Sequence, residues 1–218
     1  MTILMKIDAI RNILEKQSIE KKIDFLATYD FKNDIKNQRY FIDFIKKNSR
    51  PRNDWYMMWL IDTAALLEIK DINLMNQYLS CLYYPNNYLL KLTILDYVSY
   101  TYYLYKTDNI DYSGIRQLLN NKNDRVIVKN TALLTLILLF PIEREIYMQH
   151  IIKNLSYSSK YQEVIRIFSF FLNRLTDEYI PKSYILELIK IVKSKAIYKL
   201  KSVQSIIEET QIVLQIDG

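Results

Sequence analysis

Glycine is nearly missing from this chain: Gly114 and Gly218 are the only two in 218 residues. Phosphate-cradling loops, dinucleotide fingerprints and tight β-hairpin turns need glycine where φ is positive or the backbone nears a ligand. Those devices are therefore excluded. Cysteine is rarer still. Cys81 stands alone, which rules out an internal disulfide and any multi-cysteine metal site. Its neighbours Leu79, Ser80 and Leu82 suit a small buried residue rather than a reactive thiol. The single histidine, His150 in "IEREIYMQHIIKNL", cannot form a multi-histidine site, and no carboxylate or cysteine cluster beside it has ligand spacing. It reads as structural or solvated. No metal and no cofactor is expected.

Long apolar runs are also lacking. The longest, "TALLTLILLF" before Pro141, falls well short of the roughly 20 residues a membrane helix needs. Charges at Lys6, Asp8 and Arg11 interrupt the first apolar stretch, so it has no signal-peptide core. A soluble, cytoplasmic protein without membrane contact is expected. Paired carboxylates exist at Glu143 and Glu145 and at Glu208 and Glu209. Acid–base catalysis needs two carboxyls converging on one bond, whereas adjacent helix positions point about 100° apart. These are read as solvated faces, and no catalytic residue is assigned.

What the chain does have is helical periodicity. "ILMKIDAIRNIL" places Ile3, Ile7, Ile10 and Leu14 at steps of three and four. No useful length alternates with period two, and the four prolines fall between apolar segments as helix punctuation. About a dozen helices are expected, and they come in pairs. An aliphatic–basic dipeptide recurs early in successive second helices: Leu90-Lys91, Val128-Lys129, Ile165-Arg166 and Leu200-Lys201, at spacings of 38, 37 and 35 residues. A period in the thirties with one helical hairpin per unit is an α-solenoid signature.

On these residues a family resemblance appears. "LLNNKNDRVIVKNTALLTLILL" resembles a HEAT repeat, with Asp124 in the turn, Val128-Lys129 at the dipeptide, and Ala132 and Leu136 on the packing face. Ile94 and Ser169 replace the alanine in other units. The resemblance implies an all-α, HEAT-like α-solenoid of about five helical hairpins at 34–214, with an N-terminal capping hairpin at 1–33, all in one domain, 1–218. In size, architecture and composition the chain resembles bacterial immunity proteins of the contact-dependent inhibition type. That resemblance implies a non-enzymatic binder that occludes the active site of a cognate toxin.

The net charge is +6 with a pI near 9.1, which suits an acidic partner. Many immunity proteins against nucleases are acidic, so a basic chain requires an acidic toxin face or a toxin that is not a nuclease. Lysine rides here with Asn, Ile and Tyr, the residues of A/T-rich codons, so base composition is the competing explanation. Only Asp124 stands in an aligned turn, so a structural ladder with turn acids would be incomplete; Lys91, Lys129, Arg166 and Lys201 then line up as a positive stripe that is either a solvated face or a partner-binding surface. The segment "KSYILELIKIVKSKAIYKLKS" adds six lysines against one glutamate.

Six of the nineteen tyrosines crowd into "DYVSYTYYLYKTDNIDY", residues 96–112. At 100° per residue, Tyr97 shares a stripe with Leu90, Ile94, Thr101 and Leu104, and Tyr100 lies at its edge. Tyr102 falls opposite, near Tyr88 and Lys91, with Tyr103 on the flank. Tyr88, Tyr102 and Tyr103 are read as packing residues or as anchors for a protein partner. A nucleic-acid partner is the alternative. "RNDWYMMWLID" supplies Asp54, Trp55, Trp59 and Asp62 beside Arg50 and Arg52, ingredients similar to those of HEAT-like alkylpurine DNA glycosylases. Asp54 is also expected as a helix N-cap.

Overall fold

A computed structural model describes residues 5–50, 53–85, 87–102, 110–157, 160–174 and 180–215. Among them are twelve α-helices and no strand, as the periodicity predicts. No described helix is long and apolar enough to cross a membrane. The chain divides into two compact units, residues 1–114 and 115–218.

The first unit opens with α1 (Ile7–Arg11), continued by a π-helical turn at Asn12–Lys16, then α2 (Ile19–Thr28). Next come α3 (Gln38–Asn48), α4 (Asp54–Leu66), α5 (Ile72–Ser80) and α6 (Tyr88–Tyr102). Alternate helices lie side by side, α2 on α4 and α4 on α6. An aromatic cluster anchors the early helices: Phe25 stacks on Tyr29, and Phe31 meets Phe41 edge-on at 4.7 Å. The Tyr29 hydroxyl donates to the buried Asp34 carboxylate, whose side chain also accepts the Asn37 N–H and starts a 3-10 turn at Ile35–Asn37.

Helix α6 answers the tyrosine question for Tyr97. Leu90, Ile94, Tyr97 and Thr101 are all buried, as the helical wheel predicts. The opposite side is buried too, at Lys91 and Leu95. A helix buried on two sides needs neighbours on both, and α6 packs on both α4 and α5, leaving Asp96 exposed. Tyr97 meets the ring of Tyr78 edge-on at 5.2 Å. Each buried hydroxyl is satisfied: Tyr97 donates to the Ile69 carbonyl at 3.1 Å, and Tyr78 pairs with the Ser49 hydroxyl at 2.9 Å. Gly114 also has a reason. A Cβ there would sit 3.1 Å from the Leu79 carbonyl oxygen, so the close approach admits no side chain without a shift.

Helix α7 (Ser113–Asn120) spans the division. The second unit holds α8 (Val126–Leu139), α9 (Arg144–Tyr157), α10 (Tyr161–Arg174), α11 (Lys182–Lys193) and α12 (Lys201–Val213). Here α8 packs on α10 and α10 on α12, while α9 packs on α8 and on α11. Every residue of α8 from Asn130 to Leu139 is buried. Each large aliphatic side chain so buried stabilises the unit by roughly 1.5–3 kcal/mol. Asp124 lies in the turn before α8, and Val128, Ala132 and Leu136 are fully buried. Glu163 closes the first turn of α10 by accepting the Lys160 N–H, one half of a capping box.

Candidate functional site

Cys81, His150 and the paired glutamates take separate places in the fold. Cys81 is fully buried; desolvation pushes its thiol pKa up, with the Asp54 charge adding to the shift, the reverse of an activated nucleophile. His150, Glu208 and Glu209 are solvent-exposed. Glu143 is held by Arg116 through two hydrogen bonds, at 2.9 and 3.2 Å, and also accepts the Tyr147 hydroxyl. Arg116 lies over the Phe140 ring at 4.5 Å. This network ties α7 to the connection between α8 and α9. Among the described residues no three His, Cys, Asp or Glu side chains gather as a metal site.

The glycosylase-like stretch is organised for another purpose. Asn53, not Asp54, caps α4: its side chain accepts the Tyr56 N–H at 3.0 Å. The expected cap is corrected because Asp54 already has a partner 33 residues away. Its carboxylate accepts the Asn87 N–H at 2.6 Å, pinning the connection between α5 and α6 against the start of α4. Trp59 is half-buried one turn into the helix, and Arg52 lies outside the described residues.

In the first unit, three exposed aromatics stand close in sequence to the two ends of that bond. Trp55 follows Asp54 directly and is 52% exposed. Tyr83 and Tyr84, four and three residues before Asn87, are 47% and 56% exposed. Tyr83 is steadied by a hydrogen bond between its hydroxyl and Ser113, and Tyr88, half-buried, follows Asn87. Aromatics left in water beside a pinned connection form the kind of rigid, amphipathic surface that protein interfaces use as anchors. Tyr83 and Tyr84 carried no sequence signal of their own. They interrupt no period, and only the fold shows that their rings stay out of the core.

The proposed basic stripe fares differently at each position. Lys91 is only 3% exposed, so it is corrected from a surface contact to a residue inside the first unit. Its aliphatic stem suits a helix surrounded by apolar neighbours. Lys129 and Arg166 are half-buried, and Arg166 donates from Nε to the Thr131 hydroxyl at 2.7 Å, a link between α10 and α8. Lys201 is exposed. The Tyr102 side chain and Tyr103 lie outside the described residues. No protein-family model, no curated protein and no solved structure matches this chain.

Proposed function

We propose that the chain is a HEAT-like α-solenoid that works without catalysis, by binding another protein. The observation that carries this is the exposure of Trp55, Tyr83 and Tyr84, residues close in sequence to the two ends of the Asp54–Asn87 bond. Core tyrosines such as Tyr78 and Tyr97 are buried with their hydroxyls satisfied. The exposed set in the first unit is therefore taken as a set of anchors. Support for the solenoid comes from helices that pack on their second neighbours within each unit, α2–α4–α6 in one and α8–α10–α12 in the other. Such stacking is how helical hairpins share a core.

Within that class the best reading is an immunity protein that neutralises a bacterial toxin by covering its active cleft. Aromatic anchors would exclude water at the centre of the interface. The test is affinity capture with the tagged chain from its own cells, identification of the retained protein, and reconstitution of the complex from purified parts. A single stoichiometric partner whose toxicity or activity is blocked on binding supports the reading. Copurifying nucleic acid, with binding that weakens steeply as salt rises, would replace it with the nucleic-acid alternative.

A further inference from the structure

From Lys190 to Lys201 the sequence runs KIVKSKAIYKLK, five lysines in twelve residues without one aspartate or glutamate. The fold turns this run into a corner. It takes in the last turn of α11, a 3-10 turn at Ala196–Lys199 and the first residue of α12. Consecutive turn bonds fix its backbone: Lys195 N–H to the Val192 carbonyl, Tyr198 to Lys195, Leu200 to Ile197 and Val203 to Leu200. Val192 and Val203 are buried beneath it, and Lys190, Lys193, Lys199 and Lys201 are exposed.

None of the five lysines has a carboxylate within ion-pair distance among the described residues. Elsewhere the fold does pair such charges, at Lys46–Asp71 and Arg116–Glu143. Only Lys195 is engaged, donating at 2.6 Å to the Ser156 carbonyl in the last turn of α9, where a cation is favoured by the helix dipole. Tyr157, the residue after Ser156, is 82% exposed. Leu200, between Lys199 and Lys201, is 45% exposed. Like charges along a bonded backbone repel one another, and an acidic partner would relieve that repulsion.

We propose that the α11–α12 corner is the docking face for an acidic protein segment, one carrying an apolar side chain among its carboxylates. This rests on the protein-binding reading above and adds the partner's chemistry. The carboxylates would meet Lys190, Lys193, Lys199 and Lys201, and the apolar group would cover Leu200. A phosphate backbone offers nothing apolar to cover Leu200, and the corner contains no arginine for bidentate phosphate contacts. A protein partner is therefore favoured over nucleic acid.

The test is a titration of the isotope-labelled full chain, followed by its amide resonances. The probes are a short synthetic peptide of Glu and Asp around a pair of leucines, its Gln/Asn counterpart, and an oligo-dT of similar length. The acidic peptide is expected to shift residues 190–201 and Tyr157, and the amide counterpart is not. Combined substitution of Lys190, Lys193, Lys199 and Lys201 by Glu should weaken binding about tenfold or more, as loss of steering and pairing charges does. The corresponding Gln variant reports the same loss with less perturbation of the fold. Shifts spread over lysines elsewhere, an unaltered affinity in both variants, or tighter binding of oligo-dT at the corner would each overturn the proposal. The two readings fail separately. A natural protein partner held equally by parent and variant overturns the corner and leaves protein binding standing. A corner that binds the acidic peptide in a chain that captures no protein upholds the corner's chemistry and overturns the immunity reading.

Discussion

The Asp54 carboxylate accepts the backbone N–H of Asn87 at 2.6 Å, joining the start of α4 to the residue just before α6. The bond crosses 33 residues of sequence and holds the exposed aromatics on a fixed frame. Replacing Asp54 by Ala strands the Asn87 N–H and should lower stability by about 1–3 kcal/mol. Asp54→Asn keeps an acceptor and should recover most of that. Urea denaturation of the three proteins checks it, and equal midpoints for D54A and the parent would remove the bond from the account.

Lys91 and Lys201 occupy equivalent places in the dipeptide pattern but opposite environments. Lys91→Glu puts a carboxylate into a buried position and should cost several kcal/mol. Lys201→Glu, at an exposed position, should stay within about 0.5 kcal/mol. Thermal or chemical denaturation separates the two, and similar midpoints would contradict the burial of Lys91.

The core tyrosines make a matching pair. Tyr97→Phe leaves the Ile69 carbonyl, and Tyr78→Phe the Ser49 hydroxyl, without its buried partner. Each should cost about 1–3 kcal/mol, with unchanged helicity and unchanged partner binding. Loss of binding with full stability would move these residues from the core to the interface.

Two glutamates should give opposite pH signatures. Burial holds the Glu163 carboxyl above its ordinary value of 4.5, with the Lys160 N–H pulling the other way. Its contribution to stability is therefore full below that value and lost as pH rises through the folded pKa. Glu163→Gln should be more stable than the parent at neutral pH and converge with it in acid. Hydrogen bonds from Arg116 and Tyr147 hold Glu143 below 4.5. Its stabilisation is present above that value and lost as pH falls, so Glu143→Gln should be the weaker protein at neutral pH and converge in acid. Denaturation midpoints across the acid range read both, and parallel curves for the parent and either variant would refute that assignment.

How much of this was legible in the sequence depends on which force decides each feature. Periodicity placed the helices, and the wheel put Leu90, Ile94, Tyr97 and Thr101 on a buried face, because burial of apolar stripes dominates both. Lys91 was misread because a wheel shows direction but not how many neighbours surround a helix. Asp54 has the local look of a cap, and its actual partner, Asn87, is 33 residues distant. The exposure of Tyr83 and Tyr84 depends on where α5 ends and α6 begins in space, which no local spacing encodes. The lysine run 190–201 was visible as charge. That Lys195 meets the end of α9 depends on its bond to Ser156, a contact 39 residues apart in sequence.

The most direct measurement is parallel affinity capture by the parent chain and a Trp55→Ala/Tyr84→Ala variant from the cells that encode the protein, with stoichiometry read by native mass spectrometry. Circular dichroism should show the same helicity and melting for both. The account predicts one stoichiometric protein partner held by the parent and lost from the variant. A partner held equally by both, or a parent chain that retains nucleic acid and no protein, would contradict it.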